Sequence, residues 1–319
     1  MTFSFIVPIY NAQETLSRCL DSILNQTYPS YEVWMIDDGS VDNSAAIAAT
    51  YVEKDPRFML IRQPNSGPSR ARNRGLESAK GDVVAFVDSD DFIEPDYLQQ
   101  IVQAFRRNNA QIVFFGSMQI TLGSENRSSR NIPDLPDNQL DRIIALTKSD
   151  LFGYTWVKAI SRQLIGDIRF DETLNLFEDE VFTCQIMEKQ PIISWVEKPL
   201  YNQIIASGSL SRRTHQDYYA KCEAVYLAWK QLLLSMQAGN HEILQDKANH
   251  MTNVCKYYFL ERKIAPGSFA RGLSACTFFQ NSNVDDALIV CIKEGRFAKA
   301  LAARLVYRGK VLLKKRLSR

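Results

Sequence analysis

The stretch AFVDSDDF, residues 85–92, joins an apolar run typical of a buried strand to three carboxylates within four positions. These carboxylates belong to Asp88, Asp90 and Asp91. Aspartate is common in turns and at helix N-termini, so the cluster alone is compatible with a purely structural role. Its meaning depends on what the rest of the chain places beside it.

A calcium loop between two helices also opens with D-x-D, but this stretch does not fit one. Its sixth position is Ile93 where such a loop needs Gly, and its twelfth is Gln99 where it needs a bidentate Glu. The alternative to a structural role is a divalent cation, Mn²⁺ or Mg²⁺, held by Asp88 and Asp90 and completed by the phosphate oxygens of a substrate.

Strand patterns and helical patterns alternate four times around this stretch. The strand patterns are FSFIVPIYN from Phe3, YEVWMIDDGS from Tyr31, RFMLIRQ from Arg57 and DVVAFVD from Asp82. Asn11 and Glu14 predict a capping box for the first helix, while Pro68 and Gly81 mark the two ends of the third. The alternation predicts an α/β fold, with a mostly parallel sheet and helices on both of its faces.

Polar residues follow the strands of this predicted sheet at their carboxyl ends. Residues 8–11 follow the first strand, Asp37 and Asp38 end the second, and residues 88–91 follow the fourth. Ligands of such sheets bind outside the carboxyl ends of the strands. Three segments distant in sequence are therefore expected to meet at one rim.

The chain lacks the glycine-rich loops by which many nucleotide sites bind phosphate. No two glycines have the spacing G-x-G, and the pattern G-x-x-x-x-G-K is absent. A metal ion and cationic side chains would have to neutralise a diphosphate instead. Arg70, Arg72 and Arg74 lie on the predicted third helix at two-residue steps and point in different directions, so we expect one of them to face the rim.

Composition indicates an ordinary globular protein of 319 residues with a net charge of +2. No leader-like apolar segment and no apolar run of about 18 residues are found, which predicts a cytoplasmic location. Six cysteines without C-x-x-C spacing suit reduced thiols, and the three histidines show no metal-ligand spacing. Residues 296–319 carry nine Lys or Arg and no acid, which leaves about −7 on the rest of the chain.

Five ordered segments resemble glycosyltransferase family 2, the inverting enzymes with the GT-A fold. They are VPIYN, IDDGSVDNS, NSGPSRARNRGL, FVDSDDF and LFEDEVF. The resemblance covers residues 3–212 and implies a GT-A domain over residues 1–212. Its nucleotide-binding half would be residues 1–115 and its acceptor half residues 139–212. Residues 213–319 match no family motif and have a helical pattern of their own. Aromatic and apolar residues at three- and four-residue steps predict a packing face there, formed by Tyr219, Cys222, Tyr226, Trp229 and Leu233.

The resemblance implies a UDP-sugar donor and a role for each matching residue. Pro8 and Tyr10 would line the base pocket, with Tyr10 against the uracil ring and Asp38 accepting from the uracil N3–H. Asn65 and Arg72 would hold the nucleotide and its diphosphate. Asp88 would contact the ribose or the metal, Ser89 would contact the nucleotide, and Asp90 would be the direct metal ligand.

The resemblance also implies a general base, which inversion needs on the far side of the sugar. Asp179 is the expected base, with Glu178 and Glu180 as competitors that could equally serve a helix N-terminus. Trp156 and Lys158 match a segment that floors the acceptor side. Arg212 matches a loop that closes over the donor.

The acceptor is expected to be a saccharide, and single-sugar transfer is favoured because the Q-x-x-R-W motif of processive synthases is missing. The polar residues 117–138 predict a surface loop or lid. The basic tail, residues 296–319, predicts either a solvated helix or a peripheral contact with an anionic membrane, and the membrane contact would suit a polyprenyl-linked acceptor. Nucleic acid is not an expected partner.

Two other functions compete with sugar transfer. A sugar nucleotidyltransferase shares the layered fold, but it needs a Gly-rich, Arg-containing loop where this chain has PIYNAQET. A nucleotide-sugar binding protein without turnover would bind UDP and catalyse nothing. The presence of Asp88, Asp90 and Asp179 favours catalysis.

Overall fold

The structure is a computed structural model that describes residues 1–123, 127–149, 151–174, 176–205, 218–236, 241–261 and 276. The chain divides into two compact units, residues 1–213 and 214–319. Arg212 and the basic tail lie outside the described residues, so the predictions made for them stay predictions.

The first half of unit 1 alternates strands and helices, as the sequence predicts. Its elements are β1 (Phe3–Ile9), α1 (Leu16–Leu24), β2 (Tyr31–Asp37), α2 (Ser44–Lys54), β3 (Phe58–Arg62), α3 (Pro68–Ser78) and β4 (Val83–Phe86). The four strands are parallel, and Ile6 in the middle of β1 lies opposite both Trp34 and Phe86. The apolar side chains of β4 and, apart from the half-buried Pro8, those of β1 are buried, since these strands are covered on both faces.

The second half of unit 1 extends the sheet with strands of both directions. Its elements are β5 (Phe92–Ile93), α4 (Tyr97–Asn108), β6 (Ile112–Thr121), β7 (Arg127–Arg130), α5 (Gln139–Thr147), a 3₁₀ turn (Thr155–Val157), β8 (Lys158–Ser161), α6 (Arg162–Ile165), α7 (Glu178–Glu188) and β9 (Ile193–Ile205). The strand order is β3-β2-β1-β4-β8-β6-β9-β5, with β7 beside β6. Strand β8 runs antiparallel to both neighbours, whereas β6 and β9 are parallel.

Two local expectations are wrong. Asn11 does not cap the first helix: it has a left-handed backbone (φ 49°), and its side chain accepts a hydrogen bond from Val41 N at 3.0 Å, so α1 begins only at Leu16. Residues 117–138 are not all loop either, because β6 continues to Thr121 and pairs with β7 as a hairpin. Helix α3 begins at Pro68 as expected and ends three residues before Gly81.

Unit 2 is helical in its described part, with α8 (Tyr218–Ser235) and α9 (His241–Glu261). The predicted packing face on α8 is buried at Cys222, Tyr226, Trp229 and Leu233. The two helices meet where the sulfur atoms of Cys222 and Cys255 lie 3.7 Å apart. None of the helices in the described ranges has both the length and the apolar character that crossing a membrane requires.

Candidate active site

The carboxyl ends of the parallel strands place the predicted polar segments side by side. Asp38 N donates to Ile9 O at 2.8 Å just past the ends of β2 and β1, and Val87 N donates to Ile6 O at 3.0 Å just past β4. Pro8 is half-buried within β1, and the following Tyr10 leaves 43% of its surface exposed at the rim. An exposed aromatic ring at this edge is available to a planar ligand.

The carboxylate of Asp38 organises the loop that carries Asn65. Its oxygens accept hydrogen bonds from Ser66 N (2.9 Å), Gly67 N (2.8 Å) and Gln63 Nε2 (2.8 Å). A carboxylate offers about four acceptor sites, so one remains for a ligand. Asn65 itself is exposed at the rim.

Gly39 allows the loop after β2 to approach this segment closely. Its φ is +73°, and a Cβ at this position would stand 2.7 Å from Asn65 N. A left-handed backbone and a contact this short both exclude a side chain. The sequence therefore needs glycine here to bring Asp38 and Asn65 together.

The acidic turn over residues 88–91 is held by Thr15, the residue just before α1, and by the helix face that continues from it. The donors are Thr15 Oγ1 to Ser89 O at 2.9 Å, Arg18 Nη2 to Asp90 O at 2.6 Å and Cys19 Sγ to Asp88 O at 3.5 Å. Residues at positions i, i+3 and i+4 share a helix face, which is why three successive carbonyls can be bound at once. The backbone of the turn is thereby fixed without use of its own side chains.

The three carboxylates of the turn have different roles. Asp91 is buried and serves the fold: it accepts from Tyr201 OH at 2.8 Å and from Ile204 N at 2.7 Å, which fastens the turn to β9. Burial, with the nearby charges of Asp90 and Asp88, raises the pKa of Asp91 to about 8. Asp91 is therefore excluded from the candidate cation ligands.

Asp88 and Asp90 supply the carboxylates of the predicted cation site. Loss of hydration raises the pKa of both groups, that of Asp88 to about 6, and the charge of Asp90 adds to the rise at Asp88. Carboxylates that repel one another in this way are a setting that a divalent cation would stabilise. Among the described residues, no group of three or more His, Cys, Asp or Glu side chains has a metal-binding arrangement, so the remaining ligands would be phosphate and water oxygens.

Arg72 connects this turn to the start of α7. Its guanidinium lies 3.2 Å from Asp88 Oδ1, 3.0 Å from Glu178 Oε1 and 3.1 Å from Asp179 Oδ1. Although burial opposes its charge, the three carboxylates raise its pKa further above the ordinary value. Of the three arginines on α3, Arg72 is therefore the one that faces the rim, since Arg70 pairs with Glu172 and Arg74 with Glu77.

This geometry changes the interpretation of Arg72. Only 7% of its side chain is exposed, and both terminal nitrogens already contact carboxylates. A direct contact with a diphosphate, the role that the resemblance implies, gains no support from these contacts. The arrangement instead makes Arg72 the shared counter-ion of the carboxylates of Asp88 and Asp179, which are about 90 residues apart in the sequence.

Asp179 lies in the first turn of α7 and is held by the 3₁₀ turn before β8. Its Oδ2 accepts from Thr155 Oγ1 at 3.0 Å and from Thr155 N at 3.4 Å, while its Oδ1 faces Arg72. The neighbouring Glu178 is mostly buried. This burial and the nearby charge of Asp179 raise the pKa of Glu178, and the charge of Arg72 opposes the rise. Within the acidic triplet, Asp179 is the carboxylate that Thr155 binds, and 16% of its side chain is exposed.

Comparison with known proteins decides the family. Residues 4–169 match the sequence model described as "Glycosyl transferase family 2". The chain belongs to glycosyltransferase family 2. Among solved structures, S. aureus TarS 1-349 in complex with UDP-GlcNAc superposes with a TM-score of 0.71 at 22% identity, covering 97% of this chain and 92% of TarS 1-349. The GT-A fold expected from the sequence is therefore confirmed.

Curated relatives match over part of their length. GlyA of Streptococcus pneumoniae, a glycosyltransferase, is 34% identical over 65% of this chain and 31% of its own. EpsH of Bacillus subtilis is 30% identical over 70% of this chain and 66% of its own. The poly(ribitol-phosphate) beta-glucosyltransferase of Bacillus spizizenii is 32% identical over 61% of this chain and 31% of its own. The chain thus spans less than two thirds of the length of these relatives.

Two of the acceptor-side residues expected from the glycosyltransferase resemblance are buried. Trp156 stacks between Tyr154 and Tyr201, with ring centroids 4.8 and 4.7 Å apart. Lys158 has no exposed surface, and its Nζ donates to the carbonyls of Leu151 (3.3 Å) and Tyr154. Neither side chain offers a saccharide a direct contact in this geometry, because both support the turn that carries Thr155.

Helix α3 makes further contacts that sequence reasoning missed in this family 2 chain. Asn73 donates to Phe170 O (2.9 Å) and accepts from Phe170 N (2.8 Å), while Ser69 donates to Leu174 O (3.0 Å). These bonds fasten residues 170–174, which precede α7 in the chain, to α3. The signal in the sequence is the four-residue spacing of Ser69 and Asn73, which places two polar side chains on one face of a helix. Such spacing is common and does not indicate a particular partner.

Proposed function

We propose that this protein transfers one sugar from a UDP-sugar to a saccharide acceptor with inversion at the anomeric carbon. One observation carries the proposal: Arg72 contacts Asp88 on the donor side and Asp179 on the acceptor side within 3.2 Å. A candidate cation ligand and a candidate base are therefore parts of one ion-pair cluster. Inverting displacement needs such groups on opposite sides of the sugar.

The donor proposal rests on the rim and on the solved relative. The TarS structures contain UDP-GlcNAc and UDP, which supports a UDP-sugar donor. In this chain Asp38 N donates to Ile9 O, so Asp38 lies beside the end of β1, where Pro8 is half-buried and Tyr10 is exposed. Tyr10 would stack on the uracil, and the free acceptor site of Asp38 would take its N3–H. Asn65 and Ser89 complete the proposed nucleotide contacts.

Asp88 and Asp90 would hold Mn²⁺ or Mg²⁺ against the diphosphate. When bound, such an ion offsets the negative charge that grows on the leaving group. The protein would contribute by fixing the two carboxylates. Hydrogen bonds from Thr15 to Ser89 O and from Arg18 to Asp90 O hold the backbone of the turn that carries them. Preorganised charge of this kind lowers the barrier because nothing needs to reorient during the reaction.

Asp179 would act as the general base. The acceptor hydroxyl oxygen attacks the anomeric carbon, its proton passes to Asp179, and the bond from that carbon to the diphosphate oxygen breaks to release UDP. Arg72 lies 3.1 Å from Oδ1 and supplies a counter-charge beside this carboxylate.

The acceptor class is proposed from the relatives. The Bacillus spizizenii relative is named for a poly(ribitol-phosphate) acceptor, which supports a role in surface polysaccharide biosynthesis. A polyprenyl-linked saccharide and a peripheral position on the inner face of the plasma membrane would agree with the basic charge of residues 296–319.

A nucleotide-sugar panel tests the proposal. UDP-Glc, UDP-Gal, their N-acetyl forms, UDP-GlcA, GDP-Man and dTDP-Rha would be scored for Mn²⁺-dependent nucleotide release, with wild type and Asp179→Asn in parallel. We expect release from a UDP-sugar, reduced at least 100-fold by Asp179→Asn. Equal rates in both proteins would contradict the assignment of the base, and UDP binding without release from any sugar would favour a binding protein.

A further inference from the structure

We infer that Thr155 is a positioning residue for Asp179, and that the buried Lys158 holds the turn from which Thr155 acts. This inference rests on the proposed function, because it concerns the base of the proposed transfer. Thr155 is not proposed to contact the acceptor hydroxyl, the anomeric carbon or the diphosphate. It acts through the carboxylate that it binds.

Two hydrogen bonds from one residue fix one oxygen of Asp179. The Thr155 hydroxyl donates to Oδ2 at 3.0 Å, and the Thr155 backbone N–H points at the same oxygen from 3.4 Å. Thr155 is fully buried. Arg72 stands 3.1 Å from Oδ1 as an ion-pair partner and makes no hydrogen bond to it. Among the described residues, the hydrogen bonds that orient the carboxylate before any acceptor arrives are therefore those from Thr155.

The turn that presents Thr155 has its own anchor. Lys158 follows the 3₁₀ turn at the first residue of β8, and its Nζ binds the carbonyls of Leu151 and Tyr154. The Tyr154 carbonyl immediately precedes the Thr155 N–H in the chain, so this bond fixes the peptide plane that carries the donor. Burial lowers the pKa of Lys158 to about 7, against the opposing charges of Asp179 and Glu180, and an amine still has two N–H donors for its two carbonyls.

The consequence concerns the geometry of proton transfer rather than the binding of the donor. A general base must lie within hydrogen-bond reach of the proton that it takes, and small displacements of such a group slow the reaction strongly. Without its hydroxyl partner, the Asp179 carboxylate can rotate toward Arg72. UDP binding should be unaffected, because none of the proposed nucleotide contacts involves Thr155.

The test compares Thr155→Val, which keeps the shape and removes the hydroxyl, with Thr155→Ser, which keeps the hydroxyl. With the sugar nucleotide found active in the panel, we expect Thr155→Val to lower kcat about 10-fold, with the Kd for UDP within 2-fold of wild type. Thr155→Ser should stay within 3-fold. If Thr155→Val does not fold, Thr155→Ala against Thr155→Ser gives the same comparison.

A double-mutant cycle with Asp179→Asn separates positioning from a general structural effect. If Thr155 acts through Asp179, Thr155→Val should change the residual rate of Asp179→Asn by less than 2-fold. An equal 10-fold loss in both backgrounds, or equal losses for the Val and Ser variants, would overturn the inference. Failure of wild type in the whole panel would instead overturn the proposed function.

Discussion

Replacing Arg72 with Gln should destabilise unit 1 far more than the same replacement at Arg74 on the same helix. The guanidinium is the shared partner of Asp88, Glu178 and Asp179, at nitrogen–oxygen distances of 3.2, 3.0 and 3.1 Å. The three acidic side chains are between 12% and 29% exposed. Gln keeps much of the length of the side chain and removes its charge, so the carboxylates would face one another without a cation.

The size of the effect follows from charge and burial. At an effective dielectric constant of about 20, two unit charges about 3 Å apart interact by roughly 5 kcal/mol, although desolvation cancels much of this. Removing one partner of a buried ion pair costs about 3–5 kcal/mol, because the other charge is left uncompensated. For a unit of 213 residues, each kcal/mol shifts Tm by about 2–4 °C, so we expect a loss of about 6–20 °C.

Thermal unfolding followed by circular dichroism measures this shift. Arg74→Gln is the matched control, because Arg74 lies one half-turn further on the same helix in an exposed pair with Glu77 at 3.1 Å. Exposed pairs contribute less than about 1 kcal/mol, so this control should melt within about 2 °C of wild type. A Tm for Arg72→Gln within 2 °C of wild type would refute the argument from the cluster.

Three further changes have defined outcomes. Gly39→Ala should lower the free energy of unfolding in denaturant by about 1–3 kcal/mol, because the new Cβ would combine a φ of +73° with a 2.7 Å contact. Gly123→Ala is the control, with a φ of +77° and no atom within 4 Å of the new Cβ, and it should cost less. Equal losses of unfolding free energy in the two variants would contradict the role of the contact. Thr15→Val removes the hydroxyl that donates to Ser89 O and should raise the Kd for Mn²⁺ in the presence of UDP about 5-fold. Thr50→Val is the control, because it removes an exposed hydroxyl on α2 that bonds only within its own helix, and it should leave that Kd unchanged. The pKa of Lys158 is lowered to about 7, so the folded state holds fewer protons than the unfolded state between about pH 7 and 10. The stability of wild type relative to Lys158→Met should therefore rise with pH over that range. A difference in Tm between the two proteins that stays constant from pH 7 to pH 9 would contradict this.

The sequence predicts the first half of unit 1 well because each of its elements has a local cause. Continuous apolar runs predict the buried parallel strands, and Pro68 predicts the start of α3. The ends of those strands then place Asp38 and Asp88 at one rim without knowledge of any side-chain contact. Local propensity and overall topology agree in this part of the chain, which makes it predictable.

The contacts that decide the role of each acidic residue are long-range and leave no local pattern. Nothing in the sequence distinguishes Asp91 from Asp90, yet Asp91 is committed to Tyr201 and Ile204, more than 100 residues away. In the same way, no motif in the sequence marks Thr155 as part of a site. Its role is visible only in the structure, where its hydroxyl lies 3.0 Å from Asp179 Oδ2. Tertiary packing creates such partners, so sequence spacing could not reveal them.

The first expectation for α1 failed for a local reason. Asn11 and Glu14 have capping-box spacing, but Asn11 lies at the rim, where its side chain binds Val41 N instead. Polar residues at strand ends can serve a neighbouring loop as well as a helix. A motif for local structure is therefore least dependable where several loops meet.

Calorimetric titration of UDP, with and without Mn²⁺, tests most directly the claim that the rim is a metal-assisted sugar-nucleotide site. We expect wild type to bind UDP at least 10-fold more tightly with Mn²⁺, and Asp90→Ala to lose this gain while keeping the Tm of wild type to within a few degrees. Equal affinity with and without the metal would contradict the roles of Asp88 and Asp90. Absence of UDP binding under both conditions would contradict the assignment of the rim itself.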